Sequence, residues 1–214
     1  MITKQEIISI IVASLVLAVS MSFATEFSGM FLFFTSILFV ILFNFLAKKI
    51  AASIYDTKIT IRIWEVSRFG FRPSQKTKNP LLMGLIAPLI TGVISTGTFV
   101  WLNSLVFDVK TEVHRVTKKY GFRTKTQGVK YFTEITNFHI GLIAIWGILA
   151  NILFGILGIL IGFPLFAKLN FYYAFFNLIP LSDLDGNKVY FGSIYLWYVL
   201  LAVCTILTIY ATTI

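Results

Sequence analysis

Histidine is nearly missing from this chain: His114 and His139 are the only two in 214 residues. No H-x-x-x-H and no H-E pair occurs anywhere, which excludes the usual presentation of two imidazoles from one helical face to a metal. Cysteine is scarcer still. The single Cys204 lies inside the last apolar run, so an intrachain disulfide is impossible and packing is its expected role. G-x-S-x-G, a phosphate-cradling glycine loop and a Cys–His pair are all absent, and the chemistries those patterns serve have no carrier here. Charge is thin as well: 13% of residues are charged against 57% hydrophobic, with a mean hydropathy of +0.87. A soluble domain of this size needs more polar surface. The composition is that of an integral membrane protein.

What is present are long uncharged runs. Ile7 to Ala24, Gly29 to Ala47, Ile140 to Ala167 and Gly192 to Ile214 each match the about 20 residues a helix needs to cross a bilayer. Ser22-Phe23-Ala24 has the form of a signal cleavage site, but the preceding region is barely basic and the run is anchor-length, so retention as an anchor is expected. The formal charge of +9 comes from 18 basic residues, of which eight lie between Lys48 and Lys78 and seven between Lys110 and Lys130. Sitting beside apolar spans, they read as topogenic and as sites for anionic lipid headgroups, not as a nucleic-acid surface. KITIRIW, Lys58 to Trp64, alternates polar and apolar residues in the manner of a strand. The turn formers Gly70, Pro73, Ser74 and Pro80 follow, predicting a short hairpin at the membrane surface.

Leu81 to Phe107 is apolar but interrupted by Pro88, Gly92 and Gly97, with the polar Ser95-Thr96-Gly97-Thr98 at its middle. Were it to cross completely, the two basic segments would face opposite sides, against the cytoplasmic preference of Lys and Arg. A re-entrant hairpin keeps both cytoplasmic. The expected order is then an internal N-terminus, an outward and an inward span, the hairpin, an outward span from Ile140, and a return through Phe171 to Pro180. The expected fold class is an all-α integral membrane protein, a bundle of about five to six transmembrane or re-entrant helices of bilayer length with a small surface β-hairpin. The expected location is the plasma membrane of a prokaryote.

The most informative stretch is NLIPLSDLDG, which places Asp183 and Asp185 directly after an apolar run. An ionisable residue at membrane depth is costly and points to a functional site. Asn177, Pro180, Leu184, Asp185 and Gly186 resemble the N-x-x-P-x-x-x-L-D-G motif of site-2 proteases, the intramembrane zinc metallopeptidases. GLIAIWGILAN resembles that family's G-P-x-x-N helix, with Gly147 and Asn151 in place and Ile148 where proline is usual. NFLAKKIAASIYDTKITIRIW resembles the end of its first core helix and the strand that follows. The resemblance covers about two-thirds of the chain and matches Asp108 to Asn137 poorly. It implies that Asp185 stands at a third zinc-ligand position and that Pro180 and Gly186 break the helix to expose it. It also divides the single membrane domain into an N-terminal anchor helix 1–28, a core 29–191 and a C-terminal helix 192–214.

The departure from the family governs function. At the H-E-x-x-H positions stand Asn44, Phe45 and Lys48. Asparagine is a poor zinc ligand, phenylalanine is no base, and lysine is a cation. Catalytic residues are therefore not expected, and zinc is expected only if unorthodox ligands, His139 with Asp183 and Asp185, converge. Lys48, one helical turn after Asn44, has two readings: its ammonium pairs with Asp185 in place of the metal, or it snorkels with Lys49 to headgroups. Asn177, Pro180 and Gly186 have structural readings too, as a bridge across broken backbone and as turn formers, and Asp183 as a solvated or capping residue. Three functions follow as expectations. The first is an inactive, protease-like protein that binds transmembrane or cytoplasmic partners. The second is an active peptidase with unorthodox ligands. The third is a transporter or channel component built on the broken segments Pro88 to Gly97 and Pro180 to Gly186.

Overall fold

The computed structural model describes residues 3–23, 29–55, 57–68, 76–110 and 135–213. Among them the elements run α1 (Lys4–Ser22), α2 (Met30–Ile54), β1 (Lys58–Ile63), β2 (Val66–Arg68), β3 (Lys76–Leu81), α3 (Met83–Ile94), β4 (Leu105–Lys110), α4 (Asn137–Ile161), α5 (Pro164–Asn177), α6 (Asp185–Gly192) and α7 (Ile194–Thr213). The molecule is mostly helical, and α1, α2, α4 and α7 are long and apolar enough to cross a membrane.

Helix α1 begins at a capping box: Thr3 Oγ1 accepts from the Glu6 amide and Glu6 Oε2 accepts from the Thr3 amide, which satisfies two of the helix's orphan donors. Its inner stripe of Ile10, Ala13, Ser14, Leu17 and Ala18 follows the 3.6-residue period, and Ile8, Ile11 and Leu15 face outward. Helix α2 runs past the expected end at Ala47 to Ile54, because AKKIAAS is rich in good helix formers and two lysines alone do not stop a helix. Lys48 therefore lies inside α2.

Strand β1 shows the expected alternation, with Ile59 and Ile61 buried. Its partner is not the local one. β1 pairs antiparallel with β4, placing Ile59 opposite Val109, Ile61 opposite Phe107 and Ile63 opposite Leu105. The predicted local hairpin is supplied by β2 and β3, with a register shift between Val66 and Arg68. Its turn, including Gly70, Pro73 and Ser74, lies outside the described residues, and Pro80 falls within β3. The single hairpin of the sequence reading is thus replaced by two two-stranded sheets. The β1–β4 pairing brings the far end of Leu81 to Phe107 back beside the strand that precedes it. The Gly84 amide donates to the Trp64 carbonyl, and the Trp64 amide to the Ser104 carbonyl, both at 2.9 Å. The segment therefore leaves from one point and returns to it, as α3 down and an extended limb back.

The run Ile140 to Ala167 is not one span either. Helix α4 ends at Gly162, whose φ of +83° is the left-handed cap that glycine adopts without steric cost, and Pro164 opens α5 at a position where proline suits a helix start. α5 folds back along α4, with Phe171 against Gly155 and Ala167 against Gly158. α7 packs on α5 through Ala211 against Phe171 and Ala167. The principal core lies where α2, α4, α5, β1 and β4 meet, around Ile41, Phe45, Phe107, Ile143, Ile148 and Leu178.

Candidate functional site

Asn44 and Lys48, one turn apart on α2, point from the same helical face into the junction of α2, α4 and α5. Asn44 Nδ2 donates to Asn151 Oδ1 of α4 at 2.7 Å. Asn151 Nδ2 in turn donates to the Val40 carbonyl at 3.2 Å and to Asn170 Oδ1 of α5 at 3.1 Å, and Asn170 Nδ2 to the Phe166 carbonyl at 2.9 Å. All three asparagines are buried. A connected amide network of this kind ties helices together where an isolated polar group would destabilise them.

Beside it, Lys48 Nζ donates to Asp185 Oδ2. Lys48 is 4% exposed and Asp185 0%. The lysine stem crosses α4 over Gly147, where an added Cβ would come within 2.4 Å of Lys48 Cε and 2.9 Å of Asn44 Nδ2. Only glycine leaves that passage open. Asp185 occupies the first position of α6, after the chain has turned through Leu178, Ile179 and Pro180. Its second oxygen, Oδ1, meets no hydrogen-bond donor among the described residues, so nearby ammonium groups, Lys48 foremost, offset its charge. Gly186 lies flat against the Leu178 carbonyl, which a Cβ would approach to 2.3 Å. Asn177, at the end of α5, is fully buried.

A second lysine stands near. Lys188 Nζ donates to the Phe107 carbonyl at 2.6 Å and lies 3.9 Å from the centre of that ring, on which Lys48 Nζ also sits at 5.5 Å. Burial pushes the Lys188 ammonium down to about 8; Asp185 opposes this and Lys48 reinforces it. A small cavity beside the pair, about 10 Å³, is lined by Asn44, Phe45, Lys48, Ile61, Val106 and Tyr173, among others. That is room for about one water.

The other predicted residues lie elsewhere. Asp183 is half exposed and pairs with Arg62 at 3.2 Å; Arg62 is also held by Asp108 at 2.6 Å, and that hydrogen bond raises its pKa. His139, at the start of α4, contacts Thr136 Oγ1 through Nδ1 at 2.8 Å and packs against the Tyr55 ring. His139, Asp183 and Asp185 make no ligand set: among the described residues no three His, Cys, Asp or Glu side chains are grouped to hold a metal ion. His114, with the basic segment beyond Lys110, lies outside the described residues. Lys49 does not follow Lys48. Its ammonium lies 2.8 Å from Glu6 Oε1 and donates to the Ile59 carbonyl at 2.8 Å. Buried Glu6 also accepts from the Ile61 amide at 3.1 Å. Sequence reasoning missed this clamp, although its signal was there: a lone acid three residues after Thr3, in front of an apolar run.

The donor set at Asp185 does not fit zinc. An ammonium donates and cannot ligate while charged, the Asn44 amide is engaged by Asn151, and Phe45 offers nothing to a metal or a proton. What the arrangement does chemically is neutralise a buried carboxylate with a cation from another helix. No protein-family model, curated protein or solved structure matches the chain.

Proposed function

We propose that this chain is a catalytically inactive, site-2 protease-like membrane protein that binds transmembrane or cytoplasmic partners. On this reading α1, α2, α4 and α7 cross the bilayer, with the basic segments on the cytoplasmic side. The observation that carries it is the buried Lys48–Asp185 pair. It joins two positions that the motif resemblance marks as zinc ligands, and sets a tethered cation where the metal charge belongs. A lone carboxylate there is costly, whereas a paired one is tolerated without metal. The site is thereby kept in shape with Asn44 and Phe45 where the motif's ligand and base would stand, and the cavity beside it has room for about one water. A structural scaffold for partners is the role left to it.

The test is the metal content of detergent-purified protein, measured by elemental mass spectrometry. The native chain is expected to carry none at Asp185. A variant combining Asn44→His, Phe45→Glu and Lys48→His is expected to take up about one zinc per chain and to lose it when Asp185→Ala is added, since two imidazoles and a carboxylate then converge. Zinc in the native chain that disappears with Asp185→Ala would overturn the reading and favour a peptidase with unorthodox ligands. A folded variant that takes up no zinc would overturn the family likeness.

A further inference from the structure

From Leu81 to Phe107 the chain carries no charge, yet its only helix, α3, has 12 residues. That is about 18 Å, short of the about 30 Å of a bilayer core. Both ends of the segment meet at Trp64. Its outer face is apolar and uncovered: Leu89, Ile90, Val93, Ile94 and Phe99 are exposed, with Ile94 at 79%.

The tip is where a water-filled or a hydrocarbon setting would differ most, because a turn in hydrocarbon must satisfy its own backbone. This one bonds part of its backbone through its Ser and Thr side chains. Ser95 Oγ donates to the Phe99 carbonyl at 2.6 Å and accepts from the Phe99 amide at 3.0 Å. Thr98 Oγ1 donates to the Ser95 carbonyl at 2.7 Å, the Gly97 amide to the Gly92 carbonyl at 2.7 Å, and the Trp101 amide to Thr91 Oγ1 at 2.9 Å. The polar STGT that interrupts the hydropathy supplies internal partners to the turn and so lessens its need for solvent.

Depth follows from α1. Gly92 packs on Ser20, where an added Cβ would lie 2.8 Å from the Ser20 carbonyl oxygen. Glu6, near the other end of α1, holds the Ile61 amide. Glu6 to Ser20 is a rise of about 21 Å. The strand from Ile61 to Trp64 and the helix from Gly84 to Gly92 advance about 10 Å and about 12 Å, together the same rise.

We propose that Met83 to Leu102 is a deep re-entrant hairpin whose Leu89, Ile90, Val93, Ile94 and Phe99 face contacts the acyl chains of the lipid bilayer, its internally hydrogen-bonded tip in the far leaflet. This rests on α1, α2, α4 and α7 being spans, and not on the protease likeness. The exposed apolar face of α1, including Leu15, continues the same surface.

The experiment uses a Cys204→Ala background in proteoliposomes. Bimane at Ile94→Cys should lose most of its fluorescence in bilayers of chain-brominated phosphatidylcholine and none to aqueous iodide, and bimane at Leu15→Cys should do the same. Asn79→Cys and Lys110→Cys should both react with an impermeant maleimide from the same side. Opposite-side labelling of those two overturns the hairpin. Quenching at Leu15 but not at Ile94 overturns the lipid contact alone, and iodide quenching at both overturns the spans on which it rests.

Discussion

At the scale of single residues, the site turns on one charge pair. Lys48→Met leaves buried Asp185 without its hydrogen-bonded partner and with only the Lys188 ammonium near, and breaking a buried pair on one side costs about 3–5 kcal/mol. Replacing both partners, as Lys48→Met with Asp185→Leu, removes the two charges together, so most of that loss is expected to be regained. Thermal unfolding in detergent checks it: the single variant should melt well below the parent and the double variant close to it, a coupling that additive effects cannot give. Equal losses in single and double variants would show that shape, not charge, is what Lys48 supplies. The pairing was a legible alternative in the sequence, because the motif resemblance sets Lys48 and Asp185 at positions that would share one metal. Gly147's part in it was not legible. A glycine within an apolar helix reads the same whether it faces lipid or a neighbour's side chain.

At the scale of elements, the Glu6 clamp binds α1 to α2 and β1 at once. Glu6→Ala removes the acceptor for the buried Ile61 amide as well as the partner of Lys49, and an unsatisfied buried donor costs about 1–3 kcal/mol. Glu6→Gln keeps an acceptor oxygen and loses only the charge. The expectation is a clear fall in melting temperature for Glu6→Ala, a smaller one for Glu6→Gln, and faster hydrogen exchange at Ile61 in the alanine variant alone. The four long helices were readable from apolar runs, and β1 from its alternation. Their joints were less so. The capping glycine and the proline that divide Ile140 to Ala167 were both in view, but with only Phe163 between them the apolar run continues unbroken across the joint. β4 lay hidden at the end of an apolar segment, since pairing partners far apart in sequence leave no local trace.

For the whole molecule, the proposed role as an inactive scaffold requires something to hold. The rim of the site offers Leu181, which is exposed just before Ser182 and Asp183. A benzophenone amino acid at Leu181 is expected to give a discrete protease-sensitive adduct in the membranes of the producing cell and none in proteoliposomes of the pure protein. Adducts to lipid alone would refute partner binding at this face. The amino-acid sequence by itself determined which helices are long and apolar enough for a bilayer and how β1 alternates, because hydrophobic period and run length are local properties. It also determined that the H-E-x-x-H residue types are missing. Only the tertiary structure decided that Lys48 meets Asp185 while Lys49 turns to Glu6, that β1 takes β4, and that Leu81 to Phe107 returns to its starting point at Trp64. Each of these joins residues far apart in the chain, and such contacts depend on how the faces of whole elements pack.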